Sequence, residues 1–246
     1  MSVPHPRRVT SFARRGGRMP QRHRTTLERV GERYLIDPVR GEASTSVAGP
    51  IDVDAAFGRT APLIVEVGSG AGEQIVAHAA AHPDINHLAL DVWWPGIAAA
   101  IHRAEKVGIT NLRIIYADAT SALGQLSRPV DELWTFFPDP WPKKRHRKRR
   151  LVTESFARQV GEVLAEDGVW RLATDWADYA WQMRDAIAAA GLVNQHAGER
   201  PDPDDPSEAG ITGGFAPRYR ERIVTRFETK GVAAGRQVYD LVATRA

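Results

Sequence analysis

Short apolar runs and longer amphipathic stretches alternate along the middle of the chain. Leu63–Val67 (LIVEV), 87–92 (HLALDV), Leu112–Tyr116 (LRIIY) and 130–137 (VDELWTFF) have the length and the β-branched and aromatic content of buried strands. Segments 72–81, 95–107 and 120–126 between them read as helices or helical turns, with Pro95 suited to a first helical position and Gly108 to a C-terminal cap. Farther on, the pattern predicts a helix over 151–165 ending at Asp167-Gly168, a strand over 169–173, a helix over 176–190 closed by Gly191, a short strand from Leu192 and a last strand over 237–243. Strands that alternate with helices pair in parallel through right-handed crossovers, so a doubly wound α/β domain with a mostly parallel central sheet is predicted. Residues 1–24 lack any periodicity and read as a basic, mobile arm ahead of a single domain over 25–246. Residues 198–220, rich in Pro, Gly and Asp, read as a long loop.

Charge is distributed unevenly over this frame. The net charge is +3, yet residues 1–24 hold seven Arg and no acid, and 143–150 (KKRHRKRR) hold seven Lys/Arg and no acid. The rest of the chain has 19 basic against 30 acidic residues, a net of −11. An acidic body with two concentrated basic segments attracts a polyanion locally, which points to nucleic acid. Cys is absent, so disulfides, thiolate metal sites and cysteine nucleophiles are excluded. No apolar run approaches the roughly 18 residues that a membrane span needs, and no apolar segment follows the basic N-terminus, so neither a membrane span nor a secretory signal is expected. A cytoplasmic protein fits these features.

The turn Val65-Glu66-Val67-Gly68-Ser69-Gly70-Ala71-Gly72 follows the first strand. Gly68, Gly70 and Gly72 permit positive φ and close approach of a ligand to the backbone, at the strand end where open α/β sheets bind ligands. The dinucleotide fingerprint Gly-x-Gly-x-x-Gly would need glycine at position 73, which is Glu. An acid two residues before the first glycine repels a pyrophosphate but pairs with a sulfonium or an ammonium, which favours S-adenosylmethionine over a nicotinamide dinucleotide. Asp91, at the end of the second strand, can accept from ribose hydroxyls, and Asp118, after the third, from an adenine amino group. Either acid could instead cap a helix.

Pro138-Asp139-Pro140-Trp141-Pro142 closes the fourth strand, and its prolines restrict Asp139. A rigid carboxylate beside an aromatic ring suits a base pocket, where the ring stacks a purine and the acid takes hydrogen bonds from its edge. The alternative is a proline-stiffened turn with Trp141 packed in the core. His78 and His82 have the i, i+4 spacing of a helical metal pair, but no acid or third His stands near in sequence to complete a set. They read as surface histidines, and no metal is expected.

With these segments in view, the chain resembles the bacterial tRNA (guanine-N7)-methyltransferases, class I enzymes acting on guanine 46 of the variable loop. The resemblance runs from about Thr10 to the C-terminus. It is carried by SFARRGGRM, VEVGSGAG, FFPDPWPKKRHRKRRLV, Ala173-Thr174-Asp175-Trp176 and Thr225-Arg226-Phe227-Glu228. It implies a Rossmann-like fold, S-adenosylmethionine as methyl donor and tRNA as partner. Glu66, Asp91, Asp118 and Asp139 would contact the donor, with Asp139 also catalytic. Lys143, Asp175, Thr225, Arg226, Phe227 and Glu228 would hold the guanosine. Lys144, Arg145, Arg147, Lys148, Arg149 and Arg150, with Arg14, Arg15 and Arg18 of the arm, would hold tRNA phosphates. The chain departs from the family in having Asp91 where Glu is usual, Trp94-Pro95-Gly96 in place of His-x-Pro-Gly, and Arg226 for a common Lys. Rival readings are an amino-methyltransferase acting on adenine or cytosine, whose Asn-Pro-Pro-aromatic pocket PDPW loosely resembles, and a non-catalytic RNA-binding protein retaining the cofactor fold.

Overall fold

The computed structural model describes residues 19–197 and 213–246. Arg14, Arg15 and Arg18 of the predicted arm, and residues 198–212 of the predicted loop, lie outside the described residues. The chain begins with α1 (Gln21–Tyr34) and α2 (Val53–Phe57), then runs through β1 (Leu63–Val67), α3 (Glu73–Ala81), β2 (Asn86–Asp91), α4 (Trp94–Val107), β3 (Leu112–Tyr116), the short α5 (Ala119–Ala122) and β4 (Val130–Phe136). A 3-10 helix (Lys144–Arg149) leads to α6 (Glu154–Val163), β5 (Leu164–Thr174), α7 (Ala177–Ala189), β6 (Val193–Asn194), α8 (Arg226–Ala233) and β7 (Tyr239–Thr244).

The seven strands form one sheet in the order β3-β2-β1-β4-β5-β7-β6. β1 pairs in parallel with β2, Val67 opposite Leu90, and with β4. β7 runs antiparallel between β5 and β6. All five residues of β1 are buried, as expected of a central parallel strand covered on both faces. Leu63, Val65 and Val67 join a core with Phe156, Val160 and Met183, while Ile75, Ile97 and Ile101 form another with Tyr34 and Ile114. Sheet order reverses between β1 and β4, so a crevice opens beyond the carboxyl ends of these strands.

Several boundaries differ from the sequence pattern for identifiable reasons. Residues 21–24, assigned to the arm, are the first turn of α1. This helix is polar except for Leu27, Val30 and Tyr34, whose helical spacing forms a narrow stripe against α4 and the edge strand β3. Fully buried Tyr34 fastens it, its hydroxyl donating to the Ile109 carbonyl at 3.0 Å. The helix predicted over 151–165 is shorter, because Thr153 caps it by accepting from the Phe156 N–H and β5 begins at Leu164. Asp167-Gly168 is therefore not a helix end but an irregularity within β5, where the pairing with β4 shifts register. A Cβ at Gly168 would stand 2.9 Å from the Val130 carbonyl oxygen, which makes glycine obligatory there.

Truncating Tyr34 to Ala should lower stability by about 3–5 kcal/mol, the usual cost of removing a fully buried aromatic ring. Urea unfolding checks this; an unchanged midpoint would mean that α1 is not part of the folded core.

Candidate active site

Backbone geometry at the carboxyl end of β1 brings the expected acids together. Gly68, Gly70 and Gly72 all take positive φ, at 78°, 55° and 70°. Their reasons differ. A Cβ on Gly72 would sit 2.6 Å from that of Ala100, so this glycine lets α3 approach α4, whereas added Cβ atoms on Gly68 and Gly70 would meet nothing within 4 Å. The turn thus exposes bare backbone on an open side. Asp91 ties it to β2: Oδ2 accepts from the Gly70 N–H at 2.6 Å and Oδ1 from the Trp93 N–H at 2.6 Å. Burial raises the Asp91 pKa, and the nearby charge of Asp139 adds to the shift.

Glu66 is the most perturbed acid. It is 5% exposed, and Oε2 has no hydrogen-bond partner. Burial, reinforced by Asp91 and only partly opposed by the Ile75 N–H, pushes its pKa up to about 8. A buried carboxyl without a cation keeps its proton, and it gains most from a positive group placed beside it. Asp118 stands after β3, 8% exposed, where it caps α5 by accepting from the Thr120 N–H at 2.9 Å and from the Thr120 hydroxyl. The capping alternative therefore holds for Asp118 alongside its position in the crevice.

Beyond β4, the chain adopts two unusual conformations. Phe137 and Trp141 have φ of 52° and 44°, although neither is glycine. Left-handed conformations of non-glycine residues persist only where neighbours enforce them, and they concentrate at functional sites. The Phe137 N–H donates to the Ala173 carbonyl at 2.7 Å, anchoring one end. Asp139 between them is exposed, and its charge acts on both Asp91 and Tyr179, which places it at the same end of the sheet. Trp141 is not packed in the core: the Arg149 guanidinium lies over its ring at 5.0 Å, and His146 meets it edge-on.

The basic segment divides into two kinds of residue. Lys143, Lys144, Arg145, Arg147 and Lys148 are exposed, although Arg147 also approaches Asp178 within 3.0 Å. Arg150 is a correction to the phosphate-binding set. Its side chain is 1% exposed, donating to the Pro140 carbonyl and Gln182 at 2.7 Å each and pairing with Asp178. It fastens the Pro138–Pro142 turn to α7 and cannot reach a phosphate.

Asp175 and the Thr225–Glu228 residues, expected to hold the guanosine, lie where β5 meets α8. Asp175 is 8% exposed, with Arg236 Nε 2.8 Å from its Oδ2, and a Cβ on Gly231 of α8 would come within 2.8 Å of the same oxygen. Thr225 caps α8 by accepting from the Glu228 N–H at 3.2 Å. The Arg226 side chain is 88% exposed, and Phe227 lies open beside Phe137, with ring centroids 5.4 Å apart. Glu228 departs from its expected role. It is 4% exposed and sits between Arg222 and Arg218, at 3.0 and 3.3 Å, so it stabilises the fold instead of facing a ligand. Sequence reasoning missed Arg222, which lies 5.2 Å from the Phe137 ring centroid and binds Asp240 at 2.8 Å. Its flanking PRYRER pattern resembles any exposed charged loop. His78, expected at the surface, is 5% exposed.

The residues fit a cationic adenosyl ligand on observations of the chain itself: an unpartnered buried carboxyl oxygen, a glycine turn open on one side, and Asp91 held by two backbone donors. A family model described as "Putative methyltransferase" matches residues 60–241. A tRNA (guanine-N(7)-)-methyltransferase of Cutibacterium acnes is 46% identical over 243 residues, covering 97% of this chain and 84% of that protein. One from Nocardioides sp. is 43% identical, covering 97% and 88%. Among solved structures, an antibiotic-related methyltransferase aligns with a TM-score of 0.52 at 14% identity over 77% of this chain and 90% of the other. A 16S rRNA methyltransferase aligns at 0.51 and 17% identity over 86% and 100%. At such identities these two speak for the fold alone. The near full-length sequence likeness decides the family, and the chain belongs to the tRNA (guanine-N7)-methyltransferases.

Proposed function

We propose that this chain transfers a methyl group from S-adenosylmethionine to N7 of a guanine in tRNA. The observation that carries the reading is the buried, unpartnered Glu66 carboxyl beside an open glycine turn, on the same sheet edge as Asp139 and the exposed cations that follow it. When bound, the donor supplies an electrophilic methyl on a sulfonium. Glu66 and Asp91 would hold its amino-acid and ribose parts, and Asp118 would border its adenine.

Guanine N7 carries an in-plane lone pair and no proton at neutral pH, so the enzyme needs no general base there. Its task is to orient the base and to balance charge. Methylation makes the purine cationic. Asp139 and Asp175, accepting from N1–H and the exocyclic amine, would stabilise that developing charge, and charge-assisted bonds of this type are roughly twice as strong as neutral ones. The strained backbone at Phe137 and Trp141 fixes where Asp139 points before substrate arrives. Phe227 offers an open ring for stacking, and Lys143 to Lys148 offer charge to the RNA backbone. An amino-methyltransferase acting on adenine or cytosine is disfavoured because Asp139 is a charged acid followed by a dense cationic run.

Replacing Asp139 with Asn should cut turnover by about 100-fold or more while leaving donor affinity within a few-fold. Single-turnover methylation of unmodified tRNA, with calorimetry for the donor, measures both, and near-normal turnover would refute the role. Glu66 gives a pH signature. Its folded pKa is raised, so its contribution to stability is complete below the unfolded value near 4.5 and is lost as pH rises through about 8. Donor-free protein should therefore lose stability over this range, and Glu66→Gln should flatten that decline in denaturant titrations. The basic segment separates by salt dependence. Lys148→Ala should reduce the slope of log affinity for tRNA against log salt by about 1. Arg150→Ala should instead lower stability by about 2 kcal/mol, because its bonds are internal; filter binding and thermal unfolding distinguish the two outcomes.

A further inference from the structure

His78 and His82 stand one turn apart on α3, and the tertiary structure adds the acid that their sequence neighbourhood lacks. The chain returning towards α8 lays Glu221 against the same face. Glu221 Oε2 lies 2.8 Å from His78 Nε2 and 3.6 Å from His82 Nε2. One ligand atom from each of the three residues lies within 4.8 Å of the others. The two imidazoles stack, with centroids 4.2 Å apart, and both present Nε2 to the one carboxylate oxygen.

Proton positions around His78 follow from a neighbour that can only accept. His87 Nδ1 lies 3.1 Å from the Ile85 carbonyl oxygen and 3.4 Å from Asn111 Nδ2, whose hydrogens have three nearer carbonyl acceptors, so the shorter contact places a hydrogen on His87 Nδ1. His87 is fully buried and neutral, which leaves its Nε2 as an acceptor. His78 Nδ1, 2.8 Å away, must then donate to it. The Nε2 of a neutral His78 is left with a lone pair facing a carboxylate oxygen at 2.8 Å, and two lone pairs at that distance repel. The Tyr219 hydroxyl already donates to the same oxygen at 3.0 Å and does not separate the two acceptors. A cation between them, a proton or a metal ion, resolves the contact.

The structure assigns to His78, His82 and Glu221 a binding site for a late first-row divalent cation of the zinc type, held through two imidazole Nε2 atoms and one carboxylate oxygen. Two histidines and one carboxylate are an established donor set for zinc, and imidazole donors select against magnesium. The hydrogen bond from His78 Nδ1 to His87 orients the first ligand, as a second coordination shell does. Bond lengths of about 2.0–2.1 Å imply ligand separations near 3.3 Å, so Glu221 must move by about half an ångström. Its side chain is 50% exposed and free to do so. The cation would staple α3 to the segment leading into α8, reinforcing an existing clasp. There Gln74 donates to the Glu221 carbonyl at 3.1 Å and accepts from the Ile223 N–H at 2.8 Å. Residues Thr225 to Phe227 follow directly, so the staple would steady the open side of the crevice.

The site stands apart from the methyl-transfer reading, and its test needs neither donor nor RNA. Full-length protein stripped with chelator is titrated calorimetrically with Zn2+, with Mg2+ as control. His82→Ala and Glu221→Gln change side chains that are 35% and 50% exposed, and circular dichroism verifies their fold. The expected result is one Zn2+ per chain for wild type, no saturable Mg2+ binding, and at least 10-fold weaker Zn2+ binding in each variant. At Zn2+ about 100 times the dissociation constant, wild-type Tm should rise by about 5–10 °C, with little rise in His82→Ala. Absence of saturable Zn2+ binding by wild type would overturn the assignment and leave a proton as the bridging cation. Wild-type Zn2+ affinity in both variants would overturn it as well, placing the metal elsewhere.

Discussion

Two buried carboxyl groups at the carboxyl end of the central strands, Glu66 and Asp91, with no paired Lys or Arg among the described residues, are the constraint on which the rest of the structure depends. Elsewhere the protein neutralises its buried acids. Arg222 lies between Glu228 and Asp240, and Arg236 sits beside Asp175. Among the described residues, no Lys or Arg pairs with Glu66 or Asp91. Burying an acid this way is unfavourable in the free protein, which explains why Glu66 retains its proton to about pH 8. The same imbalance favours a ligand that brings positive charge. The fold thus withholds a counter-ion from Glu66 beside a turn whose Gly68 and Gly70 leave their backbone bare.

A second departure from local comfort lies beyond β4. Two bulky aromatic residues in left-handed conformations cost of order 1–3 kcal/mol each. Arg150 is what offsets this, since its buried guanidinium ties the Pro140 carbonyl to Gln182 and Asp178 of α7. One cationic run therefore holds residues in different environments. Its last residue, Arg150, is desolvated and structural, Arg149 lies over the Trp141 ring, and Lys143, Lys144, Arg145, Arg147 and Lys148 are exposed. Burial, not residue type, separates them.

The C-terminal part of the chain closes the site from the opposite side. β7 enters the sheet antiparallel beside β5, bringing Asp240 to Arg222 and, through Arg222, fixing the position of Glu228 and α8. Gln74, at the start of α3, clasps the segment before α8 through its own amide. Residues separated by about 150 positions thus share one wall of the crevice. The glycine turn and α8, distant in the chain, are held in fixed relation by a few directional bonds.

The doubly wound α/β class, segments overlapping all seven strands of the sheet and the glycine turn were legible in the sequence, because buried strands are apolar and a turn that leaves bare backbone needs glycine. So were the acids at strand ends, since β1, β2, β3 and β4 each deliver one to the same edge. Helix α1 escaped notice because three apolar residues in a polar segment become a pattern only when a partner surface exists. The end of the helix now bounded by Glu154–Val163 was misread because Asp-Gly looks alike in a helix terminus and in a strand irregularity. Roles of individual charges were decided by the tertiary structure alone. Arg150 and Glu228 became internal and His78 was buried against Glu221, 143 positions away. Composition specifies which groups are ionisable, but desolvation and proximity determine what each one does, and both arise only when distant segments pack.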